Sequence, residues 1–330
     1  MVTVIGGSGF IGSRLTNRLN DNGDSFRIVD KVQSPFFIKE CLTADVRDIE
    51  ELRRKLENSD VVINLAAEHR DDVSPKSLYD EVNIDGARNV CKACEDLNIN
   101  KIIFTSSVAV YGFAPICTDE TGKINYFNDY GRTKWEAEEV YREWYNKDPK
   151  NRSLIIIRPT VVFGERNRGN VYNLLKQISS GLFPMIGNGK NYKSMAYVEN
   201  VAAFIQFCVE SQSGYKVFNY IDKPDFDMNR LVAHVKKSLG KNPNTGFHWP
   251  YFLGLFGGYC FDLLAKISGK KLPISSIRIK KFCANTMFEP NNIKSTEFQP
   301  PVSIEEGIAR TVKFEFLEDR DPDEVLFYSE

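Results

Sequence analysis

The stretch Val2-Thr-Val-Ile-Gly6-Gly-Ser-Gly9-Phe-Ile-Gly12 constrains this chain more than any other. The β-branched run from Val2 to Ile5 reads as a strand, and Ile11 to Asn22 as a helix. Between them, three glycines sit at a strand-to-helix turn. The first permits the tight turn, the second lets a pyrophosphate approach the backbone, and the third lets helix and strand pack closely. The helix N-terminus then offers free N–H groups and a partial positive charge to phosphate. A second strand, Phe26 to Asp30, ends on a carboxylate about 18 residues after Gly12, where it can bond adenosine ribose hydroxyls. The expected ligand is a dinucleotide. Asp30 favours NAD over NADP because a carboxylate repels a 2′-phosphate, while Lys31 beside it pulls the other way.

The first half of the chain continues this alternation. Ile49 to Glu57 reads as helix, Val61 to Ala66 as strand, Leu78 to Leu97 as a long helix, and Lys101 to Ser106 as strand. Tyr130 to Asn146 is a second long helix, followed by a strand from Ser153 to Arg158. Strands separated by helices are βαβ units, so the fold class is α/β: a Rossmann doubly wound parallel sheet. Residues 1–164 form the NAD-binding domain. After Gly164 the pattern loosens, with Gly, Pro and Asn punctuating 183–189 and 241–246. A smaller α/β C-terminal substrate domain is expected over 165–330. The helical run Tyr197 to Val209 and the strand Lys216 to Tyr220 return to the main sheet, which assigns 197–222 to the first domain. A chain of 330 residues with 42% hydrophobic residues can fill such a core.

Several function classes drop out. The formal net charge is -1, so no global basic field points to nucleic acid. The 7 cysteines are odd in number and scattered, which argues against a disulfide framework. Cys91 and Cys94 form a lone CxxC and read as small residues on a buried helix face rather than half a zinc site. His69, His234 and His248 are too dispersed for a metal cluster, and no metal is expected. The N-terminus lacks the basic start and longer apolar stretch of a signal peptide. No apolar run reaches the roughly 18 residues of a membrane-spanning helix. The expectation is a reduced, cytosolic protein.

Tyr130-Gly-Arg-Thr-Lys134 places a phenol and an ammonium on one helix face, one turn apart. A phenol with a pKa of about 10 is a poor base at neutral pH. A nearby Lys⁺ and the cofactor's positive charge favour the phenolate. Ser107 ends the apolar strand Ile102-Ile-Phe-Thr-Ser-Ser107, at the carboxyl edge where ligands bind such sheets. Its hydroxyl can bond the reacting oxygen. Ser107, Tyr130 and Lys134 together make a proton-abstracting site beside a hydride acceptor.

These motifs resemble the extended short-chain dehydrogenases/reductases of the nucleotide-sugar epimerase/dehydratase family, over nearly the whole chain. The GxxGxxG spacing is typical of short-chain dehydrogenases/reductases. Asp45-Val46 resembles the adenine-contacting pair of the family, Asn64-Leu-Ala-Ala67 its nicotinamide-side strand, and Asn83 lies in its YxxVN-type helix. Ser107-Val-Ala-Val-Tyr111-Gly is similar to its SxxxVYG segment, Arg158-Pro-Thr-Val-Val-Phe-Gly164 to its RPxxVYG strand, and Ile304-Glu-Glu-Gly307 to its closing segment. The resemblance implies NAD contacts from Gly6, Gly9, Phe10, Ile11, Gly12, Asp30, Asp45, Val46, Ala66, Ala67, Asn83, Tyr130, Lys134 and Pro159. It also implies a homodimer through the helices at 78–97 and 130–146.

Three segments, 67–75, 165–175 and 257–262, resemble the bacterial 4-epimerases that act on undecaprenyl-diphosphate-linked N-acetylglucosamine during surface polysaccharide (O-antigen) assembly. Soluble nucleotide-sugar epimerases carry an RDF-type segment where this chain has Asn191-Tyr-Lys193-Ser-Met-Ala-Tyr197. The arginine position used on nucleotide phosphates holds Lys193, which weakens the case for a UDP-bound substrate; lysine still binds diphosphate, as a point charge. In the run Glu68-His-Arg-Asp-Asp72, His69 and Arg70 are candidates for sugar or diphosphate contact, against a solvated loop. Arg166 and Arg168, in a Gly/Asn-rich loop, either grip the diphosphate bidentately or form structural ion pairs.

Residues 249–261 carry no charge, Leu263, Leu264 and Ile267 extend the apolar stretch, and Lys266, Lys270, Lys271, Arg278, Lys280 and Lys281 are cationic. The segment 249–281 suits a membrane interface with cations toward lipid headgroups. The alternative is a buried helix of the substrate domain. The expected activity is 4-epimerisation of an N-acetylhexosamine linked through diphosphate to a polyprenol, on the cytoplasmic face of the inner membrane. Tyr130 takes the C4 hydroxyl proton while NAD takes the C4 hydride, and the 4-keto sugar turns over and recovers the hydride on its other face. The rivals are a soluble UDP-sugar epimerase, a net sugar or steroid-like alcohol dehydrogenase, and a non-catalytic NAD-sensing protein. Val108 and Ala109 after Ser107 argue against a dehydratase, which needs acid/base carboxylates there.

Overall fold

The computed structural model describes residues 1–70, 73–181, 183–211, 213–269 and 275–328. Asp71, Asp72, Lys270 and Lys271, named above, lie outside the described residues. Its strands are β1 (Val2–Ile5), β2 (Phe26–Asp30), β3 (Cys41–Thr43), β4 (Val61–Asn64), β5 (Lys101–Thr105) and β6 (Ser153–Pro159). They continue as β7 (Val161–Phe163), β8 (Met185–Ile186), β9 (Tyr192–Tyr197), β10 (Tyr215–Tyr220), β11 (Asp222–Asp227) and β12 (His248–Trp249).

The central sheet has seven strands in the order β10-β6-β5-β4-β1-β2-β3, every pair parallel. β1, β4 and β6 are buried along their whole length, as expected of strands covered on both faces. Helices Phe10–Asp21 and Val198–Ser211 pack on one face, through Leu15, Leu19, Val201, Phe204 and Ile205. Helices Ile49–Leu56, Gly86–Asp96 and Asp129–Asn146 pack on the other. Cys91 and Cys94 belong to that second core, where burial pushes both thiols up. The chain runs outward from β1 to β3, then crosses back to β4 on the other side of β1. That reversal opens a crevice at the carboxyl ends of β1 and β4, where ligands bind in doubly wound sheets.

The helix expected over 78–97 is broken. Ser77–Tyr79 is one short turn, Asp80–Asp85 is π-helical, and Gly86–Asp96 is regular α-helix. A wider turn of this kind re-aims one side chain. Here Asn83 is buried, receives the Glu68 N–H at 2.8 Å, and donates to the Glu68 carbonyl at 3.0 Å and the Thr133 hydroxyl at 2.9 Å.

β7 starts two residues after β6 ends and carries the chain into a second layer, the three-stranded sheet β11-β9-β7. Helices Asn170–Ser179, Met228–Ser238 and Ile304–Phe316 close a third core over it, with Leu175, Leu231, Ile304 and Ile308 inside. Tyr197, read from sequence as the start of a helix, is the last residue of β9, and the helix begins at Val198. The chain then returns to the main sheet as β10, paired to β6 from Tyr215↔Leu154 to Tyr220↔Pro159.

Candidate active site

A cavity of about 930 Å³ follows the crevice from the glycine turn to the wall made by the second layer. Gly6 has φ +77°, and a Cβ there would lie 2.7 Å from Ala66 N. A Cβ on Gly12 would lie 2.5 Å from the Gly6 carbonyl. Only glycine keeps this turn flat against its neighbours. Helix Phe10–Asp21 starts at Gly9 with no side-chain cap and no acidic residue in its first turn. Its first backbone N–H groups are therefore left for an anion.

Asp30 lines the cavity with its carboxylate oriented by Ser8 N–H at 3.0 Å and Val32 N–H at 3.2 Å. Asp45, Val46, Ala66, Ala67 and Pro159 line it too, as do Gly6, Gly9, Phe10, Ile11 and Gly12. The donor set, the glycine cradle and the ribose-facing carboxylate fit NAD. Asn83, expected as a cofactor contact, does not line the cavity. Its amide is used on Glu68 and Thr133, so it clamps the loop after β4 to the helix that carries Tyr130.

Asn128 caps helix Asp129–Asn146 by accepting the Gly131 N–H at 2.9 Å, which places Tyr130 in the first turn facing the cavity. Ser107 caps the 3₁₀ turn Val108–Tyr111, accepting the Ala109 N–H at 3.1 Å. Tyr130 and Ser107 are neighbours on the cavity wall. Burial pushes the Tyr130 phenol up to about 12, against the opposing pull of the Ser107 hydroxyl. Lys134, 2% exposed, sits one turn on, with its Nζ 4.5 Å from the centre of the Phe104 ring. Burial drives its pKa down to about 7, and the Glu138 carboxylate opposes that shift. In the protein alone, then, burial holds both groups toward neutrality. The phenolate expected from sequence needs a cationic ligand beside it.

Glu138, fully buried, ties this floor together. It accepts from Ser106 Oγ at 2.6 Å, from Arg158 Nε at 2.8 Å and Nη2 at 2.6 Å, and from Arg142 Nη2 at 2.6 Å. Arg158 also donates to the Tyr111 hydroxyl at 2.6 Å. Four donor atoms on one carboxylate, three of them from two guanidinium groups, offset the cost of burying it. One ion-paired cluster thus joins the strand end bearing Ser107 to the helix bearing Tyr130 and Lys134.

His69 and Arg70 line the cavity, and Arg70 lies 3.6 Å from the Glu68 carboxylate. The other expected substrate cations sit in the wall. Arg168 pairs with the fully buried Glu315 at 2.8 Å and stacks over Tyr172. Arg166 pairs with Glu324 at 3.0 Å. Lys193 donates to the Ala284 carbonyl at 2.7 Å, and burial drives its pKa down to about 8. None of the three lines the cavity. Of the two readings left open for Arg166 and Arg168, the geometry is that of structural ion pairs. The acceptors lie far along the chain, out of reach of any spacing argument. Asn167, Asn170, Ser194, Thr286 and Phe288 line the cavity and were not anticipated as contacts. Phe113 and Phe127 were also missed, though each flanks a catalytic motif.

The 251–268 stretch is a helix with only Gly258 buried. Phe252, Phe256, Tyr259, Leu263 and Ile267 form an exposed ridge at helical spacing, Phe256 being 68% and Ile267 75% exposed. The buried-helix alternative does not hold, because among the described residues the helix packs closely along one side, where Gly254 meets Ile186 and Gly258 meets Ser276 and Ile279 of helix Ser276–Cys283. Among the described residues, no helix is long and apolar enough to cross a membrane, and no His/Cys/Asp/Glu cluster could hold a metal ion.

The N-acetyl-α-D-glucosaminyl-diphospho-ditrans,octacis-undecaprenol 4-epimerase of Escherichia coli O157:H7 is 53% identical over 332 residues, covering 100% of this chain and 99% of that protein. The UDP-glucose 4-epimerase of Vibrio cholerae is 26% identical, covering 94% of each. Among solved structures, MoeE5 in complex with UDP-glucose and NAD superposes with a TM-score of 0.74 at 20% identity, over 95% of this chain and 97% of that one. The model of the NAD dependent epimerase/dehydratase family matches residues 2–220. With the glycine cradle, Asp30 and the Ser107–Tyr130–Lys134 set in one cavity, the chain belongs to the NAD dependent epimerase/dehydratase family.

Proposed function

We propose that this protein is a 4-epimerase interconverting N-acetylglucosamine and N-acetylgalactosamine linked through diphosphate to undecaprenol, in surface polysaccharide (O-antigen) assembly. The observation that carries the chemistry is that Ser107, Tyr130 and Lys134 line one cavity with the dinucleotide cradle. The lipid-linked substrate is supported by the 53% identity to the undecaprenol-linked epimerase.

Bound NAD supplies a reversible hydride acceptor and a positive charge. Tyr130 removes the proton from the sugar O4 and later returns it. Ser107 bonds the same oxygen and holds it in line with the phenol. Lys134, whose shift by burial Glu138 opposes only in part, would steady Tyr130 and help hold the cofactor. The sugar passes through a 4-keto form and must turn over, so the pocket needs room as well as a grip on the diphosphate. We assign that grip to His69 and Arg70. Arg166, Arg168 and Lys193 shape the wall that receives the sugar.

The exposed ridge on helix Tyr251–Ser268, with Lys266, Arg278 and Lys280 exposed near it, gives the protein a surface for peripheral contact with the cytoplasmic face of the inner membrane. Each apolar side chain buried there contributes roughly 1.5–3 kcal/mol. The homodimer expected through the 78–97 and 130–146 helices would meet on exposed Arg88, Lys92, Glu139 and Glu143, where opposite charges can pair; sedimentation velocity tests it.

The deciding experiment is a paired epimerisation assay on purified protein. One reaction holds UDP-N-acetylglucosamine, the other N-acetylglucosaminyl-diphospho-undecaprenol, with Tyr130→Phe as control. Conversion of the lipid-linked sugar alone, abolished in the mutant, is the expected result. Conversion of the UDP-sugar alone would make this a soluble nucleotide-sugar epimerase, and stoichiometric NADH would make it a net dehydrogenase.

A further inference from the structure

We propose that Phe113 and Phe127 form an apolar grip for the first isoprene units of a prenyl-diphosphate sugar, at the rim of the catalytic cavity. This rests on the lipid-linked reading above and adds the place where the lipid leaves the cavity. Both rings line the cavity that holds Ser107 and Tyr130. Their centroids are 4.8 Å apart with the planes at 31°, yet the residues remain 57% and 47% exposed. Two large rings left facing solvent at the edge of a cavity mark a contact for an apolar group.

Their position is set by the catalytic backbone. Phe113 follows the Ser107-capped turn Val108–Tyr111 by way of Gly112, and Phe127 immediately precedes Asn128, the cap of the Tyr130 helix. Gly112 has φ +62° and passes so close to the other loop that a Cβ would lie 2.0 Å from Asn125 O. Asn125 N–H donates to the Val110 carbonyl at 3.0 Å. The two rings therefore ride on backbone tied to both catalytic groups, and such a grip sets where the sugar sits relative to Tyr130.

The surroundings suit a hydrocarbon chain. Ile116 and Tyr126, on the same two loops, are also exposed, so the rim is apolar on both sides. The rim also connects to the apolar ridge. Cys117 N–H donates to the Met287 carbonyl at 2.8 Å, and Thr118 bridges to Phe288. That strap follows helix Ser276–Cys283, which packs on Gly258 of the ridge helix. Rim, strap and ridge are consecutive parts of one scaffold, as a lipid passing from cavity to membrane surface requires.

The test compares two soluble N-acetylglucosaminyl diphosphate esters, one methyl and one ten-carbon prenyl, in wild type and in Phe113→Ala/Phe127→Ala. Wild type should prefer the prenyl ester by about tenfold or more in kcat/KM, and the double variant should bring that ratio toward one. NAD-induced thermal stabilisation of the variant reports that it folds. Phe127→Leu, which keeps apolar volume, should retain most of the preference. A preference that survives the double substitution, or equal loss on both esters, overturns the grip. Wild type that epimerises both esters without preference sinks the grip alone, whereas wild type inactive on both sinks the lipid-linked reading itself.

Discussion

The two walls of the cavity offer their ligands different parts of the chain. On the cofactor side, the turn Gly6–Gly12 and the start of helix Phe10–Asp21 present backbone N–H groups, with Asp30 held by two backbone donors. On the sugar side, three of the cations that sequence offers as ligands are spent within the protein: Arg168 on Glu315, Arg166 on Glu324, and Lys193 on the Ala284 carbonyl. Backbone recognition depends on local geometry and needs no long side chain to stay free. Side-chain recognition competes with every acceptor the fold brings near, including those from the far end of the chain.

Four experiments would break or sharpen this contrast. The largest effect is expected at the seam between the walls. Tyr130→Phe should lower kcat about 10³-fold, with NAD affinity unchanged because the cradle is backbone-built. A matching loss of NAD binding would mean that the walls are not separable. Next, Arg168→Met removes one of the partners of the buried Glu315 carboxylate, leaving it the Arg166 N–H and Arg320, and should cost about 2 kcal/mol of stability in urea unfolding, with KM for the sugar unchanged. A raised KM at constant stability would return Arg168 to the substrate. Arg70→Met should do the reverse, raising KM about tenfold at equal stability and equal kcat.

The smallest effect concerns pH. Lys134 has a folded-state pKa of about 7 against an ordinary 10.5, with Glu138, Tyr130 and His69 as its titratable neighbours. Between those values the unfolded chain binds more protons than the folded one, so stability attributable to this site rises with pH. Its full penalty is felt below pH 7. The cofactor-free wild type should gain ~1 kcal/mol between pH 7 and 8 relative to Lys134→Met. Parallel pH profiles for the two proteins would show that Lys134 keeps its charge in the fold.

What could be read in advance follows the same division. β1, β2, β4, β5 and β6 all coincide with apolar runs, and β10 with the expected return to the main sheet, because strands buried on both faces leave a continuous signature. Gly6, Asp30, Ser107, Tyr130 and Lys134 meet in one cavity because each stands at a strand end or helix start whose direction the sheet dictates. The clamp that Asn83 makes was not legible, since it depends on a π-helical turn, which has no distinct residue pattern. The second layer was barely legible. β7 has only 3 residues, and β11 carries Asp222, Lys223, Pro224 and Asp225, a composition that does not read as strand. The ridge helix was legible as apolar but not as exposed, since burial depends on what packs against it, and of its residues only Gly258 is buried.

The late return of β10 has a consequence for how the protein is made. Until Tyr215 leaves the ribosome, β6 is the bare edge of the growing sheet, with Leu154, Ile155, Ile156 and Ile157 in a row. At bacterial or eukaryotic synthesis rates the interval between Pro159 and Tyr215 lasts about 3–11 s, far longer than a hairpin or helix takes to form. An apolar strand edge exposed for that time is a template for pairing with another nascent chain. The yield of folded protein is therefore governed by a race between elongation and edge-to-edge association, and cooling the culture or lowering expression favours the strand that belongs there.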